Sequence, residues 1–240
     1  MAAEEPDQDL IFELEAGLKF IEEEFAKEEI SLADFLPNGV ITFQLLWMLF
    51  PPNILSIGQD EFRQQFSFHV QTCKEVEDQA GNVSLLLDCK NLDHNGRSLL
   101  ERKSFGLKIE SFIGARKISE LPYFPLHFHP DPTGVMRGLL ENGRKAMRFH
   151  GRHLVEYKGH ALREGKDMLV KFNSHGRVML DPETLESTEP SNRLVLGGME
   201  AIKIKDLTDE RIMTISPKLY GFSLGDKVWG KSASPYRGLR

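Results

Sequence analysis

The sequence predicts an α+β fold, with a mostly antiparallel β-sheet or partly closed barrel behind a helical N-terminal segment. Apolar residues recur at helical spacing between Leu10 and Phe35. From about Phe62 they alternate as in strands, and Asn, Asp and Gly separate the runs. Strands and helices do not alternate regularly, which disfavours a doubly wound parallel sheet.

The N-terminal segment combines an apolar helical stripe with strong negative charge. Residues 1–34 hold twelve acidic residues against Lys19 and Lys27, a net charge of −10, so the rest of the chain carries about +4 of the total −6. We interpret the acids as a solvated helix face. The stripe consists of Ile11, Leu14, Leu18, Ile21 and Phe25.

A second, mostly buried helix is predicted for the stretch "ITFQLLWMLF". Pro37-Asn38-Gly39 precedes it, and Pro51-Pro52 ends it because proline cannot continue the backbone hydrogen bonds. The run from Val40 to Phe50 is too short to span a bilayer, so we expect no membrane segment.

The central part of the chain predicts antiparallel strands. In "FSFHVQTC" the residues Phe66, Phe68, Val70 and Thr72 fall on one face. Further strands follow in "NVSLLLDCKNLDHNGRSLLERKSFGLKIESF", and later in "HLVEYKGHALRE" and "MLVKFNSHGRVMLD". The four prolines of "LPYFPLHFHPDPTG" indicate irregular or edge structure.

Helical spacing returns in "TGVMRGLLENGRKAMRFHG", where Met136, Leu140 and Met147 share a face. Gly138 and Gly143 weaken this helix. Its three arginines recur at steps of seven and four residues and therefore lie on one side. They are either a solvated flank or candidate partner-binding residues facing an acidic partner: Arg137, Arg144 and Arg148.

Composition and cysteine use indicate a soluble protein in a reducing, intracellular setting, either cytoplasm or nucleus. The 240 residues hold two cysteines, Cys73 and Cys89, which lack metal-ligand spacing and are expected to be buried free thiols. We predict a helical segment over residues 1–60, a β-rich α+β domain over 61–232, and a short tail over 233–240.

The stretch "GDKVWGKS", Gly225–Ser232, fits the pattern of a phosphate-binding loop. That loop needs a following helix, whereas only "ASPYRGLR" follows Ser232. Trp229 is bulky where the backbone must approach phosphate. We therefore predict a strand or loop with Trp229 packed on the core, and no ATP binding.

Two further patterns suggest metal ions but lack the required ligands. "NLDHNG" resembles the start of a calcium loop, but its twelfth position is Arg102, so Asn95-Gly96 is better explained as a hairpin turn. His127 and His129 have no carboxylate or cysteine at ligand spacing. We assign no catalytic, cofactor-binding or metal-binding residue.

Two other function classes stay open. One is a small-ligand-binding or enzymatic domain, which would need a cleft lined together by His127, His129 and Arg144. The other is nucleic-acid binding, which the weakly basic body disfavours. It would involve Arg137, Arg144, Arg148 and Arg152.

Several stretches in a fixed order resemble the domain of unknown function found upstream of the AAA+ ATPase module in a group of filamentous-fungal proteins. They are "LKFIEEEF", "SLADFLPNGVITFQLLWMLFPPNILSIG", "FIGARKISELPYFPLHFHPD", "ENGRKAMRFHGRHLVEYKGHAL", "HGRVMLD" and "YGFSLGDKVWG", spread over residues 15–230.

This resemblance implies a non-catalytic interaction or substrate-recruitment domain with a protein partner. It also implies that Phe222, Leu224 and Trp229 belong to the domain core. No AAA+ module follows in the sequence, so we expect a fragment, a truncated product or a stand-alone copy of the domain without ATPase activity.

Overall fold

Three β-sheets and four α-helices make up the described part of the chain, and the strands are mostly antiparallel, as predicted. The computed structural model describes residues 8–60, 62–94, 98–149, 151–164, 169–181, 184, 200–203, 207–216 and 218–232. The predicted turn at Asn95-Gly96 and the predicted tail over 233–240 lie outside these residues.

The predicted N-terminal helix forms as two pieces, α1 (Gln8–Glu24) and α2 (Ala26–Phe35). Phe25 separates them with φ −100° and ψ 10°, outside helical geometry. Leu32 and Phe35 of α2 pack against the main hydrophobic core. The apolar stripe of α1 is exposed instead.

The prediction of a second α-helix over "ITFQLLWMLF" is wrong. Val40–Thr42 forms a short strand, β1, which pairs with β6 (Ala115–Lys117). A 3-10 helix follows over Phe43–Leu49 and buries four apolar side chains. The three β-branched residues Val40, Ile41 and Thr42 favour the extended backbone, and pairing with β6 outweighs the helical pattern of the run.

The main sheet has six strands in the order β10-β5-β4-β3-β2-β7, and all neighbouring pairs are antiparallel. The short strand β7 forms one edge, which agrees with the prediction of edge structure for its proline-rich stretch. The strands are β2 (Leu55–Gln59), β3 (Gln65–Glu77), β4 (Val83–His94), β5 (Leu99–Glu110), β7 (Tyr123–Pro125) and β10 (Glu200–Ile202).

A bulge in β3 changes which residues face the core. The register with β4 shifts between Val70 and Thr72. Phe68 and Val70 are buried as predicted, but Thr72 is exposed, and Cys73 packs on the core instead. The extra residue reverses the alternation of faces beyond it, which a period of two cannot anticipate.

Strands β3 and β4 separate at one end of the main sheet. Their pairing runs up to His69 and Lys90, after which β3 pairs with β2 and β4 pairs with β5. Residues 213–216 enter the gap and form a parallel bridge with β4 at Leu92. On the other side, the Ser67 hydroxyl donates to the Met213 carbonyl over 2.8 Å. The sheet is thus forked, and this chain segment fills the fork.

Helix α3 (Pro132–Arg148) starts at Asp131, whose carboxylate accepts from the Gly134 N–H over 2.9 Å. Its buried residues recur at helical spacing, but Met136, predicted on the inner face, is exposed. The four buried positions are Val135, Leu139, Gly143 and Ala146.

Gly143 allows close packing of α3 against the next helix, although glycine destabilises a helix. A Cβ at this position would lie 2.1 Å from the Ile212 carbonyl oxygen. Ile212 belongs to α4 (Asp209–Met213), whose N-terminus is capped by the Thr208 hydroxyl, which accepts from the Arg211 N–H. The glycine therefore allows α3 and α4 to approach each other closely.

The second sheet is curled, and we call it the small barrel. Its strands pair in the cyclic order β11-β12-β8-β9. The β8–β9 hairpin is paired along its whole length, whereas β9 pairs with β11 over three residues and β8 with β12 over two. The strands are β8 (His153–Glu164), β9 (Leu169–Leu180), β11 (Tyr220–Ser223) and β12 (Val228–Ser232).

The domain boundary predicted between residues 60 and 61 falls inside the main sheet. Strand β2 precedes it and pairs with β3, which follows it. The same core cluster contains Ile41 and Leu46 from before the boundary and Phe68 from after it. Within the described residues, no helix is long and apolar enough to cross a membrane.

Candidate functional site

The arginine side of α3 is exposed as the spacing predicts. Arg137, Arg144 and Arg148 all lie on the face opposite the buried residues. Arg144 forms an ion pair with Asp209 of α4, at 3.1 Å. Among the described residues, no ion pair is found for the other two arginines, so most of this positive side faces solvent.

The hypothesis of a small-ligand-binding or enzymatic domain requires His127, His129 and Arg144 to line one cleft. The structure does not bring these three side chains together. His129 lines a cavity of about 460 Å³, where its Nε2 lies 3.3 Å from the amide nitrogen of Gln65. Neither His127 nor Arg144 lines this cavity. His127 instead contacts the ring of Phe128 at a centroid distance of 4.2 Å. This arrangement removes the basis of the His/Arg cleft.

No metal centre emerges from the described residues, which contain no cluster of three or more His, Cys, Asp or Glu side chains suited to a metal ion. In the calcium-like stretch, Asp93 forms an ion pair with Arg102 of the adjacent strand at 3.2 Å. Strands β4 and β5 form the predicted hairpin around it. Cys89 is buried and Cys73 half-buried, and both thiols are free.

The stretch Gly225–Ser232 forms the turn and second strand of a hairpin. Ser223 pairs with Val228 across the turn, and Lys227 takes φ 55° within it. Residues of β12 pair with β11 on one side and β8 on the other. Their backbone N–H groups are therefore directed toward neighbouring strands rather than gathered around a phosphate. The prediction of a strand or loop is confirmed.

Trp229 does not lie in the core, and this part of the expectation is wrong. Its ring contacts Phe222 at a centroid distance of 5.4 Å, and both side chains are half-buried. Leu224 is exposed. The barrel interior is lined by their strand neighbours Gly221, Ser223 and Gly230, so Phe222 and Trp229 point outward. The space left in the interior, about 20 Å³, would not hold these three additional side chains.

Helix α1 is the most exposed apolar element in the described chain. Phe12 is 73% exposed and Leu18 59%. Four of the five stripe residues, from Ile11 to Ile21, lie on this helix and face solvent. The fifth, Phe25, contacts Trp47 of the body with ring centroids 5.5 Å apart. The stripe thus reaches the body only at its C-terminal end.

A polar cavity of about 290 Å³, which we call the fork cleft, adjoins the inserted residues 213–216. Two ion pairs lie in its wall: Arg102 with Asp93 at 3.2 Å, and Lys218 with Asp60 at 3.6 Å. Both carboxylates are almost fully buried. Asn91 shares the wall, and its side-chain oxygen has no hydrogen-bond partner in the described structure.

Sequence patterns did not indicate the fork cleft. Its polar residues come from the β2–β3 connection, from β4 and β5, and from the segment after α4. In the sequence, Asp93 and Arg102 belong to a stretch that resembles an incomplete calcium loop. A detectable signal was the placement of Asn91 and Asp93 in a run that otherwise reads as a strand, since Asn and Asp are depleted in strands.

A family comparison covers the first part of this architecture. Residues 31–130 match the model of a domain of unknown function, DUF7025. The matched region contains β1 to β7 and most of the fork-cleft wall, but Thr214 and Lys218 lie beyond it. The resemblance to a domain of unknown function is confirmed for these residues. No curated protein and no solved structure matches the chain.

Proposed function

We propose that the chain is a non-catalytic interaction domain that recruits a protein partner through α1. It is of the type that precedes the AAA+ motor in filamentous-fungal proteins. The observation that carries this proposal is the exposed apolar stripe of α1, defined by Ile11, Leu14, Leu18 and Ile21. Nothing in the described structure covers it.

The energetics of an isolated helix support a partner for α1. A helix of 17 residues is marginally stable in water, because most helices gain their stability by packing an apolar face. Among the side chains of α1 that the structure describes, one ion pair is found, between Lys19 and Glu23 at 3.9 Å, and both groups are exposed. Such a pair contributes well below about 1 kcal/mol. Burying the stripe would supply the missing stabilisation.

The charge around the stripe defines the partner's chemistry. Glu15 and Glu22 adjoin the stripe, and residues 1–34 carry a net charge of −10. A second copy of α1 would bring like charges together, which disfavours self-association. A partner helix with an apolar face and basic flanks complements both features.

The arginine side of α3 supports a second contact. Arg137 and Arg148 are exposed and positively charged, while α1 is strongly acidic. These residues suit an acidic segment of the same partner, because guanidinium groups bind carboxylates in a fixed fork geometry. Charge reversal at both positions is expected to weaken recruitment less than loss of the stripe does, since exposed ion pairs contribute little.

A synthetic peptide tests the main contact. The probe is an amphipathic helix with leucines on one face and lysines beside them, and the matched control peptide carries glutamates instead of lysines. We expect the full chain to bind the lysine peptide with a Kd of about 1–10 μM in fluorescence anisotropy, more weakly at high salt. The glutamate peptide should not bind.

Two matched variants locate the binding face. The triple substitution Leu14→Ser, Leu18→Ser, Ile21→Ser should weaken binding at least about tenfold, because it removes the apolar contact area. Phe12→Ser with Phe20→Ser removes exposed aromatic rings outside the stripe and should leave the Kd within about twofold. Equal losses in both variants, or equal binding of both peptides, would contradict the proposal.

The non-catalytic part of the proposal has its own test. The purified chain should show no ATP turnover and no saturable ATP binding, because β12 uses its backbone in strand pairing. Isothermal titration with ATP and magnesium measures this directly. Micromolar ATP binding that disappears on Lys231→Ala would overturn the assignment.

A further inference from the structure

The outer surface of the small barrel carries a row of apolar side chains. Leu154 lies opposite Met179 in the pairing of β8 with β9, Met179 lies opposite Phe222, and Phe222 lies opposite Trp229. Directly opposed side chains on one face of a sheet are about 5 Å apart, and the rings of Phe222 and Trp229 are in contact. We call these four residues the outer row.

The outer row lies along one side of the barrel and is accessible. The adjacent residues of the same strands, including Val155 and Val178, line the interior, so the row points outward. Leu154 is 54% exposed, and the other three side chains are half-buried. Strand β12 meets β8 at Leu162, far along β8 from Leu154. The strands therefore cross the barrel axis steeply, and the row follows that axis.

Basic residues border the outer row. Arg177 on β9 and Lys227 beside β12 occupy the next outward positions, both are exposed, and no ion pair is found for either among the described residues. Glu156, which lies opposite Arg177, is an acid in the same border. Residues 152–181 and 218–232, which contain the four strands, hold nine Lys and Arg against five Asp and Glu. The barrel thus carries a net charge of +4, although the whole chain carries −6.

Helix α1 has the complementary surface. Its stripe is apolar, and the helix holds six Asp and Glu residues against Lys19, a net charge of −5. The stripe from Ile11 to Ile21 is about 15 Å long, at a rise of about 1.5 Å per residue. The outer row crosses four strands and is about 14 Å long, at the usual spacing between neighbouring strands. Apolar surfaces of similar length and opposite charge favour binding of α1 to the row.

A second copy of the chain supplies the helix for this contact. Within one chain, the stripe of α1 faces solvent, and it reaches the body only where Phe25 contacts Trp47. Two α1 helices would bring like charges together, whereas α1 on the barrel joins a net charge of −5 to one of +4. Exchange of the helix in both directions closes as a twofold dimer.

We propose that α1 of one copy binds the outer row of a second copy, so that the chain forms a reciprocal dimer. This inference rests on the proposed function of α1 as a binding element, and it identifies an apolar surface with basic borders that complements α1. A recruited partner competes with the second copy for the same stripe, so recruitment separates the dimer.

Sedimentation velocity of the full chain tests for the dimer. We expect a monomer–dimer equilibrium with a Kd of about 10 μM. The Kd should rise at high salt, because the charges on both surfaces are exposed and therefore screened. A chain that stays monomeric up to about 500 μM would overturn the inference.

Two variants that each lose one surface identify the contact. The stripe variant keeps the outer row and carries Leu14→Ser, Leu18→Ser and Ile21→Ser. The row variant keeps α1 and carries Leu154→Ser, Arg177→Glu and Lys227→Glu. Each variant alone should be monomeric at the concentrations at which the wild type is a dimer.

Mixing the two variants should restore one of the two contacts. We expect a heterodimer with a Kd of about 100 μM when the labelled stripe variant is titrated with the row variant in fluorescence anisotropy. Neither pairing of α1 with α1 nor pairing of row with row can join these two variants, because each lacks one of the surfaces. Absence of a heterodimer up to about 1 mM would refute the contact.

A matched control variant makes the same changes in residue type and charge at and beside the main sheet. It carries Ile113→Ser, Lys74→Glu and Lys108→Glu, all at exposed positions. The dimer Kd of this variant should stay within about twofold of the wild-type value. An equal loss of the dimer would attribute association to net charge alone and overturn the assignment to the outer row.

The lysine peptide separates this inference from the proposed function. The row variant should still bind that peptide, because its α1 is intact, and this binding also shows that the variant is folded. Peptide binding without formation of the heterodimer would remove the second copy as the partner and leave recruitment through α1 in place.

Discussion

The main sheet and the small barrel are both antiparallel, but their side chains stabilise them differently. Among the described residues, the core beneath the main sheet joins twenty-one buried side chains, including Phe68, Leu87 and Ile109. The barrel's own cluster has four within the same described part of the chain: Tyr157, Val178, Leu180 and Leu219. The sheet thus depends on the burial of large apolar side chains, whereas the barrel depends more on strand pairing and on small residues that let opposite strands approach.

The barrel interior shows this dependence directly. The cavity within it measures about 20 Å³, too small for a ligand. A Cβ added to Gly221 would lie 2.5 Å from a methyl group of Val178. The polar groups inside are hydrogen-bonded: the Ser174 hydroxyl donates to Ser223, which donates to the exposed Asp226 of the turn over 2.7 Å. The interior has no room for larger side chains.

The largest expected effect is on the main core. Phe68→Ala should lower the free energy of unfolding by about 3–5 kcal/mol, because Phe68 is fully buried and contacts three aromatic rings. Urea unfolding followed by circular dichroism measures the loss. Thr72→Ala on the same strand is the control and should change stability by less than about 0.5 kcal/mol. Similar values for both would contradict the burial argument.

An intermediate effect is expected when the barrel is overpacked. Gly221→Ala should cost about 1–3 kcal/mol and increase hydrogen exchange in β8 and β9. Gly225→Ala in the exposed turn is the control, since a Cβ there meets nothing closer than 4.0 Å.

The labelling rate of the Cys89 thiol measures whether local unfolding of the small barrel spreads to the main sheet. Burial, together with the charge of Asp88, raises the pKa of its thiol to about 12, so it reacts slowly while the sheet is intact. Gly221→Ala should leave the labelling rate of Cys89 unchanged. Faster labelling in this variant would show that the two regions open together.

The smallest expected effect on the free energy of unfolding concerns Asp181, which follows β9 of the small barrel. Burial opposes the ionisation of Asp181, but hydrogen bonds from the Thr184 hydroxyl and N–H and from Arg152 outweigh it, so its pKa is lowered. A lowered folded pKa stabilises the fold above the unfolded value of about 4, and this stabilisation is lost as the pH falls through the folded value.

Asp181→Asn should therefore destabilise the chain by about 1 kcal/mol at pH 7, with a difference that shrinks below about pH 4. Urea midpoints across this pH range measure it. Glu156→Gln, exposed on β8, is the control and should have little effect at any pH. A destabilisation by Asp181→Asn that persists at low pH would point to a cause other than the carboxylate charge.

Local patterns predicted the parts of this fold that depend on local spacing. The arginine side of α3 and the β4–β5 hairpin follow from spacing and turn chemistry. The exposure of Thr72 could not be predicted, because the alternation of apolar and polar residues does not show where a bulge occurs. The outward direction of Trp229 depends on Gly221 and Gly230 facing the barrel interior, which only the strand pairing reveals.

The fork cleft was beyond sequence reasoning for a different reason. Asp60, Asn91 and Lys218 are brought together by the insertion of residues 213–216 between two strands that are paired elsewhere. No periodicity within either strand signals where a pairing will end. The one local sign of the cleft in the sequence is Asn91, because asparagine is uncommon within a strand.

The edges of the main sheet have a consequence for how the chain associates. Among the described strands, the two outermost, β7 and β10, are three residues long, and Pro122 and Pro125 adjoin or end β7. The short, proline-bearing border at β7 gives an incoming strand few backbone groups to pair with. Growth of the sheet by addition of a strand along β7 is therefore disfavoured, and α1 is the more accessible apolar surface for association.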